Sequence, residues 1–287
     1  MWGGAEPGEW PHGWQYHACT ATENHHKEQV LELLRSEPDR ALGSSQEGPG
    51  AAAHLTALPT EPGLRLEPHR LQALLRRRLR LPLPATEHSC TCGATLDTLG
   101  DHRAACPTSG LLRLRAGPPE KAWGRILREA GGQVRENVPL WTMGLEQPVT
   151  DRRAIELVAL GLPLYHGLPL ACDVTGAAPL RADGTARPRA AAEPGMALAH
   201  REDDKLHRYP ELAASARVRL VVLAGEVGGR WSATAAWLLR RLAAHVAQQL
   251  RELAVHRRGR RRQGARVLLL HVGEGRRRQR RDALVQA

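Results

Sequence analysis

Apolar residues along the chain fall into helix-like and strand-like runs that sharpen after residue 117. Pro118-Pro119-Glu120 reads as the opening of a helix to about Ala130, with Ala122, Trp123, Ile126 and Leu127 on one face and Gly131-Gly132 as its stop. Three strands follow at Gln133–Trp141, Arg153–Leu160 and Leu168–Val174, with turn residues between them. Gly195–Tyr209 has helical spacing, Arg217–Gly225 is a strongly apolar strand, and Ser232 stands at the cap position of a helix to about Val255. The order helix, three strands, helix, strand, helix predicts an α/β (mixed α+β) core, with a meander followed by a helical crossover.

The earlier pattern is weaker. Residues 1–62 hold Gly, Pro, His and Trp with one short helical stretch at His26–Arg35, and are expected to be a mostly disordered leader. Within 63–84, Pro68 to Arg80 spaces Leu71, Leu74, Leu75 and Leu79 among arginines, an amphipathic basic helix ended by Leu81-Pro82-Leu83-Pro84. Arg76, Arg77 and Arg78 on it are candidates for phosphate contacts; a solvated face on a docked helix is the alternative.

Charge changes this picture mainly at one end. The net charge is +11, from 41 basic and 30 acidic side chains, and only Lys27, Lys121 and Lys205 are lysines. There is no Phe, and such a composition fits GC-rich coding, which makes arginine alone a weak signal. Most of the excess lies in a tail at 256–287, with 11 arginines against Glu274 and Asp282. Arg257, Arg258, Arg260, Arg261 and Arg262 are candidate nucleic-acid contacts, and the basic runs also fit nuclear import, so a nuclear location is expected. The alternative is a solvated tail. No apolar run approaches a bilayer span, so no membrane partner is expected. Five cysteines in 287 residues do not make a disulfide scaffold, which turns attention to metal.

Cys90 and Cys92 are followed by His102 and Cys106 within a segment at 85–112, a C-x-C-x9-H-x3-C spacing. Three thiolates and one imidazole are an accepted zinc set. So small a segment cannot bury a core, and zinc ligation, worth about 10–16 kcal/mol in small fingers, would order it. His88 is a substitute ligand. In the following region, 113–255, Asp151 precedes the second strand and Asp173 lies near the end of the third. If these strands are antiparallel neighbours, the two carboxylates meet at a sheet edge and suit Mg²⁺. Glu120 could join them, and Lys205 could meet developing phosphorane charge.

Cys90–Cys106, Asp151, Asp173-Val174-Thr175 and Lys205-Leu206-His207-Arg208-Tyr209 together resemble the carboxy-terminal region of non-LTR retrotransposon proteins that carry a restriction-like endonuclease. The resemblance covers about residues 65–255. It implies a Cys-Cys-His-Cys zinc element followed by a restriction-endonuclease-like core of the PD-(D/E)xK superfamily, which nicks target DNA. Asp151 falls at the first aspartate, Asp173 at the (D/E) position, and Lys205 with Tyr209 at the relocated lysine motif; Glu120 matches an acidic residue of the first helix. Thr150 rather than Pro precedes Asp151, Thr175 stands where the motif lysine would be, and Glu156 is an alternative to Asp151. Upstream there is no reverse transcriptase palm, so a severed carboxy-terminal piece is expected, acting on DNA or RNA with a separate reverse transcriptase chain as a candidate partner. The alternatives are a non-catalytic zinc-containing nucleic-acid-binding module and an unselected relic.

Overall fold

The computed structural model describes residues 13–48, 50–84, 89–108, 111–145, 148 and 150–253. The tail arginines Arg257, Arg258, Arg260, Arg261 and Arg262, and His88, lie outside the described residues. The helices are α1 (Trp14–Leu33), α2 (Glu37–Ser45), α3 (Ala53–Thr56), α4 (Pro68–Arg78), α5 (Asp101–Ala105), α6 (Leu111–Glu129), α7 (Met196–Arg208) and α8 (Pro210–Ala213). A last helix, α9, spans 233–253. The strands are β1 (Gln133–Pro139), β2 (Ala154–Leu160), β3 (Leu170–Ala177) and β4 (Arg219–Glu226). Among the described residues no helix is long and apolar enough to cross a membrane.

The fold is mixed α+β around one four-stranded sheet. Strand order is β1-β2-β3-β4, with β1–β2 and β2–β3 antiparallel and β3–β4 parallel. A parallel neighbour cannot be reached by a hairpin, so the chain leaves the sheet after β3, builds α7 and α8, and returns as β4. Helices cover both faces. Trp123 and Leu127 of α6, Ala130 just past its end, and Ala235, Leu238 and Leu242 of α9 pack on Leu157, Cys172, Val174, Val221 and Leu223. On the other face Tyr209 and Leu212 cover Val158, Ala171 and Leu220, while Ala197 and Leu198 of α7 cover Val222 and Ala224. This alternation follows from the period of two along a strand.

The second, third and fourth strands, α7 and α9 fall where the apolar pattern predicts them. The first helix does not. It begins at Leu111, not Pro118, and carries Pro118 and Pro119 inside it. Proline lacks the amide that an interior helical position donates. A bond from Arg115 to the Ala104 carbonyl holds this early part to α5.

The leader also differs from expectation, with α1, α2 and α3 occupying part of 13–62. Ser36 caps α2, its Oγ accepting from the Asp39 amide at 3.2 Å. Ala41 and Leu42 bury themselves against Leu180 and Ala190. Small side chains let the backbones approach closely, and the remaining hold is polar: Arg230 donates to the Ser44 carbonyl from Nε at 3.1 Å and Nη2 at 2.8 Å, and its amide donates to Ser45 at 3.0 Å. Arg78 reaches the Gly228 carbonyl at 2.8 Å from the other side. Gly229 sits at φ +106°, and a Cβ there would lie 2.4 Å from the Ala51 carbonyl oxygen. Gly229→Ala is therefore expected to destabilise the protein by about 1–3 kcal/mol and to expose residues 36–51 to protease first. Unchanged thermal unfolding together with an unchanged cleavage pattern would refute the docking.

Candidate functional site

Two clusters of chemically capable side chains stand out. The first is the cysteine–histidine group. Cys90 N–H donates to the Ala94 carbonyl at 2.8 Å and Gly93 N–H returns to Cys90 at 2.9 Å, a tight turn that needs Gly93 at φ +89°. The Asp97 carboxylate accepts the amides of Asp101 and His102 at 2.9 and 2.7 Å, which starts α5 and aims His102 back at the turn. The ligand atoms of Cys90, Cys92, His102 and Cys106 all lie within 4.8 Å of one another. Two zinc–sulfur bonds of about 2.3 Å at a tetrahedral angle separate their sulfurs by about 3.8 Å. Cys90 and Cys106 Sγ are 3.8 Å apart, and Cys92 Sγ is 3.3 Å from His102 Nε2. The Cys92 amide and the His102 ring hold the Cys90 thiol down to about 6, favouring the thiolate that a metal needs. These four residues fit zinc in donor type, number and spacing.

The second cluster lies on the α7 face of the sheet. Asp173 is wholly buried in β3, with Val222 of β4 as its register partner. Lys205 of α7 donates to it, Nζ lying 2.7 Å from Oδ1 and 2.8 Å from Oδ2. Continuing the pairing Leu157↔Cys172 by one residue brings Glu156 opposite Asp173. Burial, then the Asp173 charge, push the Glu156 carboxyl up to about 7 against a smaller pull from Lys205, and its Oε2 is buried without a hydrogen bond. Tyr209 closes the group: its hydroxyl donates to the Ala154 carbonyl at 3.3 Å, and burial together with the two carboxylates raises its pKa.

Of the sequence-predicted residues, the structure brings Asp173 and Lys205 together and puts Glu156, not Asp151, beside them. Asp151 is held by Arg153, whose Nη2 is 2.8 Å from Oδ2 and whose Nε lies 3.1 and 3.0 Å from the two carboxylate oxygens. The same Nη2 reaches Glu211 at 2.9 Å. The meeting of Asp151 with Asp173 fails on register: Asp151 precedes β2, whereas Asp173 is level with a residue inside it. Glu120, half-buried on α6, makes no hydrogen bond or ion pair with this group, because α6 covers the opposite face. Arg76, Arg77 and Arg78 do not form an open phosphate-binding face. They donate to carbonyls of Pro82 at 2.8 Å, of Leu99 and Gly100 at 3.2 and 2.6 Å, and of Gly228 at 2.8 Å. The helix is docked, and its guanidinium groups satisfy backbone acceptors that water would otherwise cover.

No family model and no curated protein matches this chain.

Two expectations follow. Elemental analysis of the purified full chain should find about one zinc per molecule, and Cys92→Ser combined with Cys106→Ser should abolish it; full zinc in that variant would remove the assignment. Glu156 bears on stability with a definite sign. Its pKa is raised on folding, so the unfolded chain gives up its proton first, and stability falls as pH rises from about 4.5 to about 7. Glu156→Gln removes that loss. The variant should be more stable than the parent by about 1–3 kcal/mol at pH 8, with the gain gone near pH 4.5, as read by denaturant unfolding at the two pH values. A gain that is equal at both would show that burial of Glu156 does not perturb it.

Proposed function

We propose that this chain is a metal-dependent DNA endonuclease region of the restriction-like kind, derived from a non-LTR retrotransposon and preceded by its zinc element. The observation that carries the reading is the Glu156–Asp173–Lys205 group: two acids face each other across adjacent strands and the only lysine of the crossover helix sits on one of them. The resemblance in sequence supplies the reaction class, and the order of helices and strands agrees with it. Glu156 takes the part that the motif gives to its first aspartate.

Glu156 and Asp173 would hold Mg²⁺, and two carboxylates with the buried, unpartnered Oε2 of Glu156 are a fitting oxygen donor set for a hard cation. When bound, the ion would neutralise charge on the scissile phosphate and lower the pKa of a water. The residues do the rest. Glu156 releases its proton near pH 7, so it is an anionic oxygen donor only at neutral pH and above. Lys205, whose side chain retains a path to solvent, offers a compact ammonium that can turn from Asp173 to a phosphate oxygen as charge develops there. Tyr209 keeps Asp173 and the start of β2 in place. Water attacks phosphorus in line, forming one P–O bond as the opposite one breaks.

A second reading has its own observation. Asp173 is fully buried and paired with Lys205, whose Nζ donates to Oδ2, as in a structural ion pair, which favours a non-catalytic zinc-containing nucleic-acid-binding module. Nicking of supercoiled plasmid by the full chain with MgCl₂ or MnCl₂ separates the two. Wild type should nick, while Asp173→Asn and Glu156→Gln should each lose at least about a hundredfold with DNA retention within about threefold. Retention of DNA by a wild type that does not nick establishes the binding module instead.

A further inference from the structure

We infer that His102 is a positioning residue through which the cysteine–histidine cluster braces the crossover between Asp173 and Lys205. The inference rests on the zinc reading of that cluster and concerns what the loaded cluster does to the rest of the chain.

The crossover is the long connection at 178–195, from the end of β3 to the start of α7. Asp173 lies within the strand that precedes it and Lys205 in the last turn of the helix that follows it, so its course helps set how α7 meets the sheet. It has little regular structure of its own. Leu180 and Ala186 form a single bridge, Arg181 N–H donates to Thr185 at 2.8 Å, and Arg187 N–H donates to Pro179 at 2.8 Å. Asp183 Oδ1 accepts from the Thr185 amide and hydroxyl at 2.9 and 2.6 Å and forms the tip. A hairpin of this size is not stable alone in water. Leu180 and Ala190 anchor one side of it against α2.

The other anchor is His102. Its Nε2 faces Cys92 Sγ at 3.3 Å, and its Nδ1 is 2.7 Å from the Ala182 carbonyl oxygen. The ring is buried, so water does not compete for either nitrogen. In a neutral imidazole only one nitrogen carries the proton. A metal on Nε2 leaves that proton on Nδ1, where it must donate, and the carbonyl of Ala182 is the acceptor in reach. Loading of the cluster thus fixes the tautomer that ties residue 182, and the tie passes to the hairpin that leads into α7. Arg77 and Arg80 hold the same short helix from behind, with Arg80 Nη1 2.7 Å from Asp101 Oδ2 and Arg77 Nη2 3.6 Å from Oδ1, so the brace has a fixed base.

Amide hydrogen exchange of the full-length protein tests this, compared between zinc-loaded protein, chelated protein and His102→Cys. That variant offers four thiolate ligands for zinc and lacks the Nδ1–H donor. Zinc content near one per chain is expected in wild type and variant. Protection of amides at 180–187, Arg181 and Arg187 above all, should fall about tenfold on chelation and by a similar factor in His102→Cys that still holds zinc. Amides of β4 at 221–223 should not change. Bound zinc with unaltered 180–187 protection in both comparisons overturns the brace and leaves the zinc reading intact. Equal loss in β4 makes the effect global and also overturns it. Wild type without zinc removes the zinc reading and the brace with it. If the variant does not retain zinc, the loaded-against-chelated comparison of wild type decides alone.

Discussion

A carboxylate with no water around it must have a cation, and Asp173 is such a carboxylate in the middle of the sheet. Its strand neighbours Cys172 and Val174 belong to the opposite apolar layer, and Val222 lies beside it. Removing one partner of a buried pair costs about 3–5 kcal/mol, more than a third of the stability of many domains. Lys205 therefore fixes α7 over this face, and the chain from β3 to β4 is built around that requirement. The second carboxyl, Glu156, is what one cation cannot satisfy. Burial first, and then the Asp173 charge, raise its pKa, and Lys205 offsets this only in part.

The segments outside the sheet are joined by another means. The segment of the cysteine–histidine cluster is too short to own a core, and α4 buries none of its residues fully. Guanidinium groups aimed at carbonyls and carboxylates do the joining: Arg77 to Leu99 and Gly100, Arg78 to Gly228, Arg80 to both Asp39 and Asp101, and Arg230 to Ser44. Planar forks with several donors can bind two segments at once, which an ammonium cannot do as well. An arginine-rich composition thus has a structural use here in a chain with no Phe and few aromatic residues.

Which features are legible in the sequence follows from the range of the interactions. The strands, α7 and α9 declare themselves because apolar spacing is local, and the candidate zinc ligands do so because four of them fall within 90–106. The partner of Asp173 is less visible, because register is set by the whole sheet. Asp151 stands where a strand-edge acid should stand, but the pairing Leu157↔Cys172 makes Glu156 level with Asp173. One local sign existed: Glu156 is the single charged residue inside the apolar run Ala154–Leu160. Arg76, Arg77 and Arg78 mislead for a similar reason, since their acceptors are carbonyls up to 150 residues away. The contact of His102 with Ala182 has no sequence signature at all, because the acceptor is backbone.

The sealed Asp173–Lys205 pair and the proposed chemistry are compatible only if the pair can open at small cost. Lys205 is the exposed end of it, with 15% of its side chain reaching solvent against none for Asp173. In the proposed reaction a phosphodiester would give the ammonium a second anion, so turning from one to the other would exchange partners without creating an isolated charge. The carboxylate left behind would then need a cation of its own, and Glu156, anionic above about pH 7, would share in holding it. Opening in the absence of substrate has no such compensation. On the proposed function the buried pair would therefore be a closed resting state that an anionic ligand and a cation together release, and the precision of that exchange would depend on how firmly the crossover holds α7.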